Sequence, residues 1–409
     1  MNTIALIILA ALLLDAGLKF AADWLNLKRL HSGLPEAFAD WYDPGRYRRS
    51  QDYLRVNTRF GWVVTGVDLL LLLTFWFGGG FAWLDEWVRG FNLSTLTTGL
   101  LFIGFLVALK GLLNLPFDVY ATFGIEARFG FNRTTWRTYL LDRCKAVLLG
   151  LAIGAPLLAL VLLFFQHAGP HAWWLCWLIV VMVMLAVHYV APTWIMPLFN
   201  RFEPLSSGEL RDAITAYARR IDFALDNIFV MDGSKRSSKA NAFFTGFGRH
   251  RRIVLFDTLI SNHSVDELVA VLAHEMGHYK QRHVLKMMLV GIGQSGLMFY
   301  ILSWFISYPG LFEAFHVQQV SVYAGLVFFG LLYTPLDAVL GLAMQYMSRR
   351  HEYAADRFAV QTAPQGRSLA TALKKMSVDH LSNLDPHPLY VFLNYSHPPV
   401  MQRVEALKR

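Results

Sequence analysis

The chain has 409 residues, 55% of them hydrophobic and 16% charged, with a formal net charge of +8 and a mean hydropathy of +0.38. A soluble globular chain carries about 45–50% apolar and about 25% charged residues, so this balance argues against a soluble enzyme and against a disordered or fibrous chain. The apolar surplus falls in nearly uncharged runs of about 20 residues, the length that crosses a bilayer.

Seven such runs are predicted, at about 2–25, 61–83, 96–115, 146–166, 172–191, 284–307 and 319–345. The first is interrupted by Asp15 and Lys19 and has no small-residue cleavage site behind it, which favours a membrane helix over a cleaved signal peptide. The loop after it, about 26–60, holds seven Lys/Arg; the loop 116–145 holds five, the segment 193–283 twelve and the tail after 346 nine. The alternate connections, near 84–95, 167–171 and 308–318, hold only Arg89. Thirty-three of the 37 basic residues thus share one face, which the positive-inside rule makes cytoplasmic. The N-terminus is then outside and the C-terminus inside. The positive charge is a topology signal, and a nucleic-acid partner is not expected.

Two cytoplasmic segments are long enough to carry chemistry. In the first, IVLFDTLI (253–260) reads as a strand. Residues 264–283 read as a helix with Ser264 as N-cap and Glu267 at the capping-box position. The second begins with the amphipathic helical pattern MSRRHEYAADRFAVQTA from Met347 and later reaches the helix-breaking SHPP (396–399). The expected plan is an N-terminal membrane region, 1–192, with spans one to five, and a C-terminal region, 193–409, that includes spans six and seven and both long cytoplasmic segments. No linker separates them. Cys144 and Cys176 fall at opposite predicted membrane depths, so no disulfide joins them, and neither has metal-site spacing.

The sharpest feature is His274-Glu275-Met276-Gly277-His278. With 14 His and 10 Glu in the chain, about 0.01 such H-E-x-x-H patterns arise by chance. On a helix the two imidazoles share a face and suit a zinc ion, and Glu275 beside them can act as general base. The bland alternative is a pair of surface histidines. A third ligand is needed, and the longer H-E-x-x-H-x-x-G-x-x-H pattern fails, because Gln281 and Val284 occupy its last fixed positions. If the helix runs straight into span six, span seven returns the chain to the same depth near residue 352. At 1.5 Å per residue, position 278 lies about 45 Å from position 308, which puts the metal near the headgroup level of the cytoplasmic face. The candidates there are His351, Glu352 and Asp356. Glu352 is favoured over His351, because Glu352 and Asp356 share a helix face and suit one ligand and one orienting partner.

Asp15, Lys19, Asp68, His188, Lys286, Gln294 and Asp337 fall in or beside the apolar runs. Snorkelling accounts for Lys19 and Lys286, whereas Asp68 and Asp337 fit a wet interior. Pro335 should kink span seven.

These motifs resemble those of the type I CAAX prenyl proteases, polytopic zinc endopeptidases. The resemblance rests on PFDVYATFGIEARFGFNRTT (116–135), IMPLFNRFEPL (195–205), SSKANAFFTGFGRHRRIVLFDTLI (237–260), HEMGH, SRRHEYAADRFA (348–359) and LYVFLNYSHPPVMQR (389–403). It covers most of the chain apart from the first 50 or so residues and the outer loops. It implies a mainly α-helical membrane protein whose seven helices enclose a chamber, with a cytoplasmic protease portion that is mostly helical and has a small β element. It implies His274, His278 and Glu352 as ligands of one zinc ion, Glu275 as general base and Asp356 as the residue orienting a ligand. His397 would stabilise the oxyanion, Arg403 would contact substrate or a carboxylate, and Asn241 would hold the substrate as an added edge strand. Taken alone, His397 reads as a capping loop residue and Asn241 as a turn residue.

The expected activity is endopeptidase cleavage at the cytoplasmic membrane face, of CAAX type on prenylated or lipid-associated peptides. The rivals are a quality-control protease acting on unprenylated membrane proteins and a transporter, which would not need H-E-x-x-H with a glutamate at matched depth. A scaffold holding structural zinc would not need Glu275. The C-terminal EALKR carries no ER-retention signal, and the compact outer loops lean toward a bacterial inner membrane over the ER.

Overall fold

The computed structural model describes residues 1–30, 33–223, 225, 227–245 and 252–408. Residues 246–251, inside the 237–260 motif, lie outside the described residues. Seven helices are long and apolar enough to cross a membrane: Thr3–Lys28, Pro44–Phe77, Thr95–Glu126, Trp136–His167, Gly169–Leu198, His283–Phe305 and Val322–Thr362. They correspond to the seven predicted spans and form a multi-pass membrane protein.

Burial along these helices is concentrated at their two ends. At one end, here the cap end, Trp76, Phe81, Leu84, Phe102, Leu162, Phe312, Phe315, Tyr323 and Phe328 form a continuous apolar core. The N-terminus lies at this end, where Asn2 donates to the Gly310 carbonyl at 2.6 Å. At the other, the site end, Ile253, Leu255, Leu268, Leu272, Met276, Ala359 and Leu373 belong to a second core. Between the two, residues 9–21, 59–75, 103–124, 140–160, 177–191, 284–298 and 330–351 contain no buried position. Those stretches correspond to about 20–33 Å of helix. The spans are therefore packed most tightly at their ends and less tightly through the middle, around an interior chamber. Asp337 is exposed within this belt, and Asp68 pairs with Lys110 at 2.5 Å, an intramembrane cation absent from the predicted set of buried charges. Asp15, Asp68 and Lys110 line a cavity of about 950 Å³ between spans one, two, three and seven.

Three expectations are corrected. The second apolar run was expected to continue to 83, but the span stops at Phe77 because Gly78 caps it and Gly79 adopts φ +75°, a left-handed turn that glycine tolerates. A separate helix, Gly80–Arg89, follows and packs into the cap core through Phe81, Leu84 and Val88. The expected strand 253–260 ends at Phe256, and Asp257–Asn262 is helical. The motif helix does not run straight into span six. It ends at Lys280, and Arg282 takes the left-handed conformation at φ +57° before span six begins at His283.

The site end holds a four-stranded sheet of β1 (Phe202–Pro204), β2 (Asn227–Met231), β3 (Ala242–Thr245) and β4 (Arg252–Phe256) in the order β1-β2-β4-β3. β2 and β4 are parallel, the other pairs antiparallel, and β3 is an edge strand. The motif helix Val265–Lys280 begins at the expected capping box, with Ser264 N–H donating to Glu267 Oε2 at 3.0 Å. Its burial on nearly every face fixes its rotation, since ten of its residues from Glu267 to Gly277 are buried.

Candidate active site

The third helix that matters is the long Val322–Thr362, in which span seven continues unbroken past the membrane and carries Glu352 and Asp356. It crosses the motif helix at Gly277. A Cβ there would lie 3.1 Å from Phe358 Cδ1 and 3.3 Å from the Ala355 Cα, so the missing side chain lets the two backbones approach closely. That approach brings the carboxylate of Glu352 to the two imidazoles.

His274 Nε2 and His278 Nε2 lie 3.1 Å apart. His278 Nε2 is 3.2 Å from Glu352 Oε1, and His274 Nε2 is 3.5 Å from Glu352 Oε2. Three ligands at about 2.0–2.2 Å from a tetrahedral zinc stand about 3.4 Å apart, so these separations fit that ion. The donor set fits as well. Glu352 Oε2 is buried and makes no hydrogen bond among the described residues, so its negative charge depends on cations close by, of which Arg403 is one.

Each imidazole is oriented from behind. His274 Nδ1 donates to Asp356 Oδ1 at 2.8 Å, which leaves Nε2 with its lone pair toward the site. Burial lowers the basicity of the His274 imidazole, but its hydrogen bonds to Asp356 and Glu352 outweigh that and raise it, which strengthens the ring as a ligand. Asp356 is itself held by Arg403, whose Nη2 and Nε donate at 2.6 and 2.9 Å. Arg403 Nη1 reaches Glu352 Oε2 at 3.2 Å. His278 Nδ1 faces Nδ1 of His283 at 3.1 Å, and the His283 ring stacks on His351 at 4.0 Å.

Glu275 is half-buried and makes no hydrogen bond among the described residues. Burial pushes its carboxyl above the usual carboxylate range. His397 comes from the other side, with Nε2 3.4 Å from Glu352 Oε1 and Nδ1 2.9 Å from the Ser396 hydroxyl. It is exposed at its surface, and partial desolvation against the protein lowers its basicity. Behind it lies a cavity of about 330 Å³ lined by Ser377, Ser382, Asn394, Tyr395 and His397. Asn241 opens the edge strand β3 and accepts the Ala242 N–H on its side-chain oxygen at 2.9 Å. The segment before it is pinned, as Lys239 pairs with Glu126 at 2.9 Å and the Ala240 N–H donates to His380 Nε2 at 2.9 Å.

His274, Glu275, His278, Glu352, Asp356, His397 and Arg403 thus converge, and Asn241 stands on the free edge of the neighbouring sheet. The sequence reading missed His283 and His380. His283 lies just before the failed final position of the longer zinc motif, and nothing in its spacing to His278 gives it away.

A family model described as the CAAX prenyl protease N-terminal region, with five membrane helices, matches residues 23–201. A second, peptidase family M48, matches residues 204–409. The CAAX prenyl protease 1 of Saccharomyces cerevisiae is 36% identical over 336 residues, covering 78% of this chain and 74% of the yeast protein. The Homo sapiens homolog is 32% identical, covering 76% of this chain and 74% of the human protein. The crystal structure of S. mikatae Ste24p superposes with a TM-score of 0.94 at 31% identity, over 100% of both chains.

Proposed function

The chain belongs to peptidase family M48, in its CAAX prenyl protease branch, and is a membrane metalloendopeptidase; on that premise we propose a zinc site and a substrate for it. His274, His278 and Glu352 hold one zinc ion. When bound, zinc supplies Lewis-acid polarisation of the scissile carbonyl. The convergence of three donor atoms, one each from His274, His278 and Glu352, within 4.8 Å of one another is the observation that carries this reading.

Glu275 takes a proton from the attacking water and returns it to the leaving amine, and its raised carboxyl suits both transfers. His397, on the open side, donates to the carbonyl oxygen as negative charge develops there. Asp356 keeps His274 in the tautomer that presents Nε2, and Arg403 fixes Asp356 while pairing with the Glu352 carboxylate. Asn241 and β3 accept the substrate backbone as an added strand.

The substrate is a peptide with a prenylated cysteine near its C-terminus. The relatives' names point to it, and the site stands at the foot of a chamber between membrane spans. The face carrying the site is cytoplasmic, supported by the 33 basic residues on it. The expectation of a bacterial inner membrane rests on the compact outer connections alone. The test is cleavage of two matched peptides, one farnesylated at its CAAX cysteine and one not. Purified enzyme should cut the first after the cysteine, and Glu275→Gln should lower turnover about 10²–10⁴-fold with zinc retained. Equal cutting of both peptides would replace this substrate with unprenylated membrane proteins.

A further inference from the structure

The two histidines of the motif are oriented by different chemistry. Behind His274 stands a carboxylate, Asp356, the usual partner of a ligating imidazole. Behind His278 stands a second imidazole. His283 Nδ1 lies 3.1 Å from His278 Nδ1, and among the described residues no carboxylate meets that nitrogen. Resting on the zinc-ligand reading above, we infer that His283 is a positioning residue for the metal site, accepting the Nδ1–H of His278 and so fixing the tautomer and ring plane of the second ligand.

Proton arithmetic fixes the direction of this bond. If His278 offers its Nε2 lone pair to the metal, its Nδ1 carries the hydrogen and must donate. His283 Nδ1 must then be the acceptor, and its own hydrogen sits on Nε2. Two nitrogens 3.1 Å apart fit one hydrogen between them and cannot both be protonated without repulsion.

The backbone explains how His283 comes to be there. In an uninterrupted helix, residues five apart are separated by about 140° and do not face each other. The left-handed Arg282, at φ +57°, breaks the helix and starts a new one at His283, which turns its ring back onto His278. The ring is buried at 4% exposure and clamped by His351, with centroids 4.0 Å apart and planes 9° from parallel. His351 directly precedes Glu352. One helix thus supplies the third ligand and clamps the ring that orients the second.

The experiment is zinc affinity of the full-length detergent-solubilised protein, measured by chelator competition, for wild type, His283→Phe, His283→Asn and His278→Ala. Phe keeps the stack on His351 without an acceptor, while the Asn side-chain oxygen can take the place of Nδ1. His283→Phe should bind zinc about 10–100-fold more weakly, and His283→Asn should recover most of that loss. Wild-type affinity in His283→Phe would overturn the inference, as would a loss in His283→Asn as deep as in His283→Phe, since shape rather than the acceptor would then matter. If His283→Phe does not fold, His283→Asn against His283→Ala makes the same comparison. Unchanged affinity in His278→Ala would instead remove the ligand set itself, which separates the two failures.

Discussion

At the cap end, Phe315 stacks on Phe328 at 4.1 Å and on Trp76 at 4.8 Å, while Phe81 meets both phenylalanine rings edge-on. Its buried ionic feature is Asp85, which accepts from Tyr323 at 2.5 Å and from Arg89 at 2.8 Å. At the site end, the buried side chains include His274, His283, Glu352, Asp356 and Arg403. Close-packed aromatics stabilise by dispersion and exclusion from water, whereas buried charges cost desolvation that their pairing offsets only in part. A region built for stability alone would resemble the cap. The charge at the site end is there for its chemistry, and it should be replaceable in stability but not in function.

Arg403 tests that contrast most severely. Arg403→Ala strands the buried Asp356 and should destabilise by about 3–5 kcal/mol. The pair Asp356→Leu with Arg403→Met removes both charges and should restore much of the lost Tm, yet zinc affinity should still fall about 10–100-fold. A double variant that binds zinc like wild type would break the comparison. Phe328→Ala at the cap should cost up to about 3–5 kcal/mol and leave zinc affinity unchanged. Thermal unfolding and chelator competition on the same samples separate the two ends.

The smallest expected effect concerns pH. Burial, aided by the nearby Lys239 charge, pushes His380 from 6.5 down to about 4. The unfolded chain therefore takes up this proton before the folded one does. Stability from the neutral His380 is complete above about pH 6.5 and declines as pH falls toward about 4. Since His380 accepts the Ala240 N–H just before β3, acid should loosen the edge strand. His380→Gln should flatten the Tm profile over that window, and an unaltered slope would assign the dependence to other groups.

The spans were legible because uncharged length is a local property, and so was the motif helix, whose capping box and histidine spacing lie within one segment. Glu352 was reached by matching depth across a helical hairpin. That argument assumed a continuous helix through 281–283 and survived its failure, because the 41-residue helix of span seven returns the chain to the site regardless. What stayed hidden depends on contacts between distant segments or on single backbone angles. The Arg282 turn carries no glycine to mark it, and the pairings Asp68–Lys110, Arg236–Asp142 and Lys239–Glu126 join residues with no shared periodicity. The helix Gly80–Arg89 was absorbed into its neighbouring apolar run, where composition alone does not reveal the turn at Gly79.

The belt without buried residues has a mechanical consequence. Two densely packed end regions are connected by seven struts that pack against one another without a fully buried position through the middle of the membrane. Changes in bilayer thickness are absorbed by helix tilt at a fraction of a kcal/mol per ångström. The spacing of the three ligand atoms is set at the crossing of Gly277 and Ala355, and because Glu352 rides on the same unbroken helix as span seven, tilt of that one strut is transmitted directly to the site.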